Sequence, residues 1–151
     1  MKKTAKILAR ALLVLFVGWA GVSCQEAAEA ERQTSRVNHP EWSVRANIYE
    51  VNVRQYTPEG TFNAFATHLD RLQEMGVDIL WFMPITPIGE LNRKGSLGSY
   101  YSVKDYTGIN PEFGTMEDFR RLVEEVHARG MYVILDWVAN HTAWDHPWTG
   151  A

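Results

Sequence analysis

Three polar side chains with different chemistry lie close together in the sequence near residue 140. A carboxylate (Asp136), an amide (Asn140) and an imidazole (His141) follow the short apolar run 131–135, which predicts a buried strand. In folds built from parallel strands, ligands bind at the carboxyl ends of the strands. The three side chains are therefore candidates for a binding or catalytic site at such an edge.

Two further strands are predicted ahead of this one. Residues 46–53 alternate apolar and polar side chains and include β-branched residues, which is typical of a strand. Residues 77–83 are apolar almost throughout, as expected of a strand that is covered on both faces. The run 131–135 is then the third strand.

Two amphipathic helices are predicted between the strands. The first begins after Thr61 as N-cap and ends at Gly76, and the second begins after Thr115 and ends before Gly130. Their apolar residues recur at helical spacing. The expected buried faces are Phe62, Phe65, Leu69 and Leu72 in the first helix, and Phe119, Leu122, Val123 and Val126 in the second.

The resulting order is βαβαβ, with a long loop at 85–114 that is rich in Gly, Ser, Asn and Tyr. Loops of this length without regular structure are usually functional. Right-handed crossovers would make the sheet parallel, in either a (β/α)8 barrel or an open doubly wound sheet. No Gly-x-Gly-x-x-Gly follows the first strand, so the dinucleotide-binding form of the open sheet lacks its phosphate loop.

The N-terminus has the pattern of a secretory signal peptide, which we place at residues 1–23. Four basic residues precede an uncharged apolar run at 11–22. That run is shorter than the ~20 residues that a helix needs to cross a bilayer. An uncleaved N-terminal anchor is the alternative.

Cys24 is the only cysteine and comes two residues after this apolar run. The segment resembles a bacterial lipoprotein signal, in which the cysteine is lipidated, although Gly21 stands where leucine is usual. Ordinary cleavage nearby is the alternative. We expect an exported protein, either secreted or a lipoprotein of the bacterial cell envelope, that touches the membrane only through a lipid anchor. Residues 24–43 are poor in large apolar residues and predict a flexible linker.

The charge balance argues against a nucleic-acid partner. The chain has 15 Lys and Arg and 18 Asp and Glu. Removing residues 1–23 removes four basic residues and no acidic ones, which leaves 11 against 18, a net charge of −7. Nucleic-acid-binding domains usually carry a basic patch.

Three stretches together resemble the alpha-amylase family of glycoside hydrolases. They are 48–56, then 98–115 with its Tyr-x-x-x-Asp and Asn-Pro-x-Phe-Gly-Thr patterns, and 136–141, which resembles the family's Asp-Val-Val-x-Asn-His signature. Trp137 replaces the commoner valine. The resemblance implies an α/β fold over residues 44–151, in which three strands and two helices form the first part of a (β/α)8 TIM barrel.

The resemblance also implies roles for individual residues. Tyr101 matches a tyrosine that stacks on the sugar ring at the cleavage point, and His141 matches a histidine that hydrogen-bonds a hydroxyl of that sugar. Asp136 matches the aspartate that orients neighbouring groups. Asn140 matches a position that often ligates a structural Ca²⁺ through its side-chain oxygen. A metal site at His141 and His146 is an alternative, without any dedicated zinc spacing.

Retaining glycosidases need two carboxylates ~5–5.5 Å apart. In the family these follow later strands of a barrel that takes ~250 residues, so the resemblance implies no catalytic carboxylate within this chain. We expect these 151 residues to be inactive alone and their full-length parent to be a retaining glycoside hydrolase of α-glucans, such as starch and maltooligosaccharides. Two alternatives remain at this point: a non-catalytic carbohydrate-binding protein and a small α/β domain unrelated to sugars.

Overall fold

A three-stranded parallel sheet forms the centre of the fold. The computed structural model describes residues 38–150, and 45–151 cluster into one compact unit. The strands are β1 (Ile48–Val51), β2 (Ile79–Phe82) and β3 (Tyr132–Leu135), in the spatial order β1-β2-β3. Both pairings are parallel, as predicted from the alternation of strands and helices. β1 and β2 are shorter at both ends than the sequence pattern indicated, and β3 begins one residue later than predicted.

The two faces of the sheet are covered differently. Alternate residues of a strand point to opposite faces, and Val51, Leu80 and Phe82 are fully buried on the face that packs against the helices. On the other face, Glu50, Trp81 and Ile134 are register partners across the three strands. Ile134, on this second face, is 42 % exposed, so the face is not fully covered by the described residues. The apolar core of the described residues therefore lies on one side of the sheet.

The first predicted helix is interrupted, which corrects the expectation of two helices. After a four-residue helix α1 (Val53–Tyr56) come α2 (Phe62–Ala66) and α3 (Leu69–Glu74). The break lies at Thr67, whose hydroxyl donates to the carbonyl of Ala64 (2.7 Å). The next amide, that of His68, reaches only the carbonyl three residues back (2.9 Å), which is the tighter 3₁₀ pattern.

The predicted buried face is kept across this break. Phe62, Phe65, Leu69 and Leu72 are all fully buried. The rings of Phe65 and Phe82 meet edge to face, with centroids 5.4 Å apart, which joins the helical segment to β2. Packing of this face, rather than helical continuity, fixes the segment against the sheet.

The second predicted helix is confirmed as α4 (Met116–Ala128). A capping box closes its N-terminus: the Thr115 hydroxyl accepts from the amide of Asp118, and the Asp118 carboxylate accepts from the amide of Thr115 (2.8 Å). The Thr115 hydroxyl also donates to Asp118 Oδ2 (2.6 Å), and this bond, followed by that from the Thr115 amide, holds the pKa of Asp118 far below its usual range. Phe119, Leu122 and Val126 form the buried face, as the spacing predicted.

The segment 85–114 is a long loop, and its only β-pairing in the described part of the chain is an isolated bridge between Ile88 and Val103. Arg54 holds part of this loop from the end of β1. Its guanidinium lies 4.6 Å from the Tyr100 ring centroid and pairs with the Glu112 carboxylate at 2.7 Å. A charged group thus stacks on an aromatic face and keeps an ionic partner.

The predicted signal peptide 1–23, the lipidation site Cys24 and most of the predicted linker lie outside the described residues. Of that linker, residues 41–43 belong to a short 3₁₀ turn (Glu41–Val44). Among residues 38–150, no helix is long and apolar enough to cross a membrane.

The exposed edge of β3 predicts poor stability for residues 25–151 expressed alone. Ile134 and Leu135 are 42 % and 45 % exposed, and one side of β3 has no strand partner among the described residues. We expect aggregation, or a loose state that binds hydrophobic dyes and unfolds in urea without a cooperative transition. We also expect no hydrolysis of α-glucans. A soluble monomer with a sharp transition would contradict this expectation.

Candidate functional site

Three of the predicted site residues meet at the carboxyl ends of β2 and β3. The Tyr101 hydroxyl donates to Asp136 Oδ2 at 2.8 Å. His141 Nε2 lies 3.1 Å from the Tyr101 carbonyl oxygen. A carboxylate, a phenol and an imidazole are thus joined through one residue of the long loop.

Asp136 owes its position to the sheet. It is the residue after β3, and its amide still donates to the carbonyl of Phe82 at the end of β2 (2.9 Å). The parallel ladder therefore continues for one residue beyond the strand and fixes the backbone from which the carboxylate extends. The signature begins where the last ladder hydrogen bond is made.

Tyr101 is available to a ligand. The residue is 37 % exposed, while its hydroxyl is held by Asp136. Donation to Asp136, followed by burial and the negative charge of Asp136, raises the pKa of Tyr101 above its usual value. The phenol therefore stays protonated at neutral pH, with an aromatic face that can stack on a sugar ring.

The contacts of His141 define its tautomer. Asn140 Nδ2, which can only donate, lies 3.3 Å from His141 Nδ1, so this ring nitrogen is the acceptor. The proton of the neutral ring is then on Nε2, which donates to the Tyr101 carbonyl (3.1 Å). A sugar hydroxyl that accepts from Nε2 must share or replace this contact.

The described residues do not by themselves make the calcium site expected at Asn140. Calcium takes ~6–8 oxygen ligands, and the Asn140 side chain has a single oxygen to offer. Within residues 38–150 no group of three or more His, Cys, Asp or Glu side chains could hold a metal ion.

Tyr106 is a residue of the site that sequence reasoning missed. Its hydroxyl lies 2.7 Å from the carbonyl oxygen of Val138 and 2.9 Å from that of His141. It therefore ties the long loop to the backbone of the signature. The only sequence signal was its place next to the Tyr-x-x-x-Asp pattern.

Asp145 is a second residue that sequence reasoning did not assign. Its Oδ2 accepts from the amides of Glu90 (2.9 Å) and Leu91 (3.3 Å). These backbone donors, with Lys104 nearby, hold the pKa of Asp145 below its usual value. Asp105 stabilises the loop locally, since it accepts from the amide and hydroxyl of Thr107 (2.8 and 2.7 Å). The Thr107 amide is the largest cause of its lowered pKa.

His146 does not join His141 as a metal ligand pair in the described structure. It is 4 % exposed, and its Nδ1 accepts from the amide of Trp148 (3.1 Å). Its ring lies 4.5 Å from the Trp148 ring and 5.4 Å from the Tyr106 ring, measured between centroids. These contacts make His146 a packed, structural side chain.

A cavity of about 700 Å³ lies beside the site, yet Tyr101, Asp136 and His141 do not line it. Its wall includes Glu90, Lys104 and Asp145, which are already paired with one another or with backbone amides. We place the functional site at Tyr101, Asp136 and His141 rather than at this cavity. Groups that can stack on a ligand and hydrogen-bond to it converge at these three residues.

A family model described as "Alpha amylase, catalytic domain" matches residues 26–150. The chain belongs to the alpha-amylase family. This membership confirms the resemblance and excludes an α/β domain unrelated to the family. The match begins at residue 26, inside the segment predicted as a linker.

The relatives within the family differ in their reactions. Trehalose synthase from Pimelobacter sp. is 45 % identical over 116 residues, which are 72 % of this chain and 19 % of the relative. "Alpha-amylase SusG" from Bacteroides thetaiotaomicron is 45 % identical over 89 residues, which are 59 % of this chain and 12 % of the relative. The chain thus spans a fifth or less of the length of these two relatives.

A solved alpha-amylase from Lactobacillus plantarum shares the fold. It is 52 % identical, with a TM-score of 0.66 over 67 % of this chain and 24 % of that chain. The three parallel strands are therefore part of the (β/α)8 barrel of the alpha-amylase family. The alternative of an open doubly wound sheet is wrong.

The Tyr101–Asp136 contact predicts a change in a tyrosine titration. In the full-length protein, Asp136→Asn should lower the pKa of Tyr101 toward the ordinary value of ~10, because the negative charge that opposes phenolate formation is gone. NMR of ¹³C-labelled tyrosine would follow the titration, and Tyr101→Phe would identify the signal. An unchanged pKa would show that Asp136 is not the partner of the phenol.

Proposed function

We propose that the full-length protein that carries this chain is a retaining glycoside hydrolase of α-glucans. The observation that carries the proposal is the convergence of Tyr101, Asp136 and His141 at the carboxyl ends of β2 and β3. The family match and the amylase and oligo-1,6-glucosidase relatives support a glucan substrate.

Each residue has a distinct role in this proposal. Tyr101 offers its ring face to the C–H surface of the sugar at the cleavage point, and Asp136 keeps that ring in place through its hydroxyl. His141 donates to a hydroxyl of the same sugar. Hydrogen bonds to sugar hydroxyls strengthen as the ring acquires oxocarbenium character, so this contact favours the transition state over the ground state.

Bond cleavage itself requires two further carboxylates, a nucleophile and a general acid. We assign both to residues outside this chain, and with them the choice of linkage and of hydrolysis or transfer. A structural Ca²⁺ at Asn140 would likewise need oxygen ligands beyond the described residues.

We also propose that the protein is exported and held at the bacterial cell envelope by a lipid on Cys24. Three features of the sequence support this proposal: a basic N-terminus, a short apolar run, and a lone cysteine two residues after that run. The acidic balance of the remaining chain argues against a nucleic-acid partner.

The test of the activity uses the full-length protein with starch, maltooligosaccharides and isomaltose as substrates. Tyr101→Ala and His141→Ala should each lower kcat/KM by roughly one to three orders of magnitude, or ~1.4–4 kcal/mol of transition-state stabilisation. His127→Ala is the matched control, since His127 is an exposed residue in the last turn of α4, which leads to the amino end of β3, whereas the site lies at the carboxyl end of that strand.

Two results would contradict this account in different ways. No hydrolysis of any of these glucans by the wild type would show that the substrate class is wrong; if the wild type still bound them, the non-catalytic carbohydrate-binding protein would be favoured. A loss below threefold for both variants of an active enzyme would remove Tyr101 and His141 from the cleavage subsite.

The lipid anchor predicts a labelling result. Cells that express the full-length protein with radiolabelled palmitate should give a labelled band in the membrane fraction, and Cys24→Ser should lose both the label and the membrane association. An unlabelled wild type would favour ordinary cleavage of the signal peptide, and label that persists in the variant would show that Cys24 does not carry the lipid.

A further inference from the structure

The hydroxyl of Tyr106 is the main side-chain contact between the long loop and the backbone that carries His141. It lies within hydrogen-bond distance of the carbonyls of Val138 (2.7 Å) and His141 (2.9 Å). One phenolic proton is shared between two acceptors, and both acceptors are main-chain atoms of the signature. The contact therefore holds the main chain of the signature directly and does not depend on the side chains of residues 138 and 141.

Few backbone hydrogen bonds hold that segment. Residues 139–143 form no helix or strand. The ladder ends at the amide of Asp136, and the next backbone contact with the long loop is the amide of Ala143 on the carbonyl of Val103 (2.8 Å).

Between these two points, Val138 is buried, and the loop makes two polar contacts. The Tyr101 carbonyl accepts from the His141 ring, and the Tyr106 hydroxyl reaches the carbonyls of Val138 and His141. Of these two contacts, only that of Tyr106 holds the main chain that carries His141.

The Tyr106 ring is held so that its hydroxyl stays in place. It stacks on Trp148 with centroids 5.5 Å apart at 24°, and it meets the edge of Trp137 at 6.3 Å. The buried ring of His146 lies on it at 5.4 Å. Because aromatic packing fixes the ring, removing the hydroxyl alone would leave the ring where it is.

We propose that Tyr106 is a positioning residue for His141. It holds the carbonyls of residues 138 and 141, and through them sets where the imidazole meets the sugar hydroxyl. The proposal rests on the proposed function, because it concerns the same subsite. Tyr106 touches no substrate in this account and acts only through His141.

Loss of the Tyr106 hydroxyl should change kcat rather than KM. A contact that strengthens in the transition state loses more there than in the ground state when its donor is displaced. We expect Tyr106→Phe to lower kcat about tenfold, short of the ~100-fold that a 1 Å misplacement can cost. KM should change by less than about threefold.

The experiment compares Tyr106→Phe with Tyr100→Phe in the full-length protein. Tyr100 is in the same loop, and within the described part of the chain its hydroxyl has no hydrogen-bond partner, so the control removes the same atom without a contact. The control should keep wild-type kcat and KM. An equal loss of kcat in both variants would overturn the proposal.

A double-mutant cycle with His141→Ala separates a positioning role of Tyr106 from a general effect on folding. In a His141→Ala background there is no imidazole to place, so adding Tyr106→Phe should lower kcat/KM by less than about twofold. A further loss of about tenfold in that background would show that Tyr106 acts independently of His141, and the proposal would fall.

A spectroscopic readout keeps this inference separate from the proposed function. With ¹³C-labelled histidine, the His141 ring signals, assigned by their loss in His141→Ala, should shift in Tyr106→Phe and stay unchanged in Tyr100→Phe. Unmoved His141 signals in Tyr106→Phe would overturn the positioning role. Shifted signals in a protein that hydrolyses no glucan would support the positioning role and reject the proposed function.

Discussion

The parallel pairing of β2 with β3 decides where the polar residues of this chain meet. The ladder brings the carboxyl ends of both strands side by side and continues to the amide of Asp136, which donates to the carbonyl of Phe82. The loop that leaves β2 must then pass the end of β3 before it enters α4. Tyr101 and Tyr106 are brought to the signature by that path, and the site depends on it.

Polar contacts orient the loop at this edge, in addition to the packing of buried residues such as Val103. The loop reaches the signature through the phenol of Tyr101, the phenol of Tyr106 and the carbonyl of Val103. Each contact pairs a group of the loop with a group between Asp136 and Ala143. Such short polar contacts are directional, so they fix orientation closely while leaving one face of Tyr101 open to a ligand.

Much of the fold was predictable because buried apolar residues recur at a regular spacing along a helix or strand. The spacing of Phe62, Phe65, Leu69 and Leu72 identified a buried face correctly even though Thr67 breaks the helix beneath it. The break coincides with a hydrogen bond of the Thr67 hydroxyl and with 3₁₀ backbone bonds, which the spacing of apolar residues does not reveal. The site residues came from the resemblance of short motifs. Tyr106 was missed because its contacts join residues 32 and 35 positions apart, so its role follows only from the folded loop.

The central claim is that this edge forms the sugar subsite of an alpha-amylase family enzyme. A crystal structure of the full-length protein with a bound maltooligosaccharide analogue tests it most directly. The account predicts a glucose ring stacked on Tyr101 at ~4 Å, with His141 Nε2 at ~3 Å from one of its hydroxyls and its contact to the Tyr101 carbonyl shared or broken. A glucan bound elsewhere, with the His141–Tyr101 contact intact, would contradict the account.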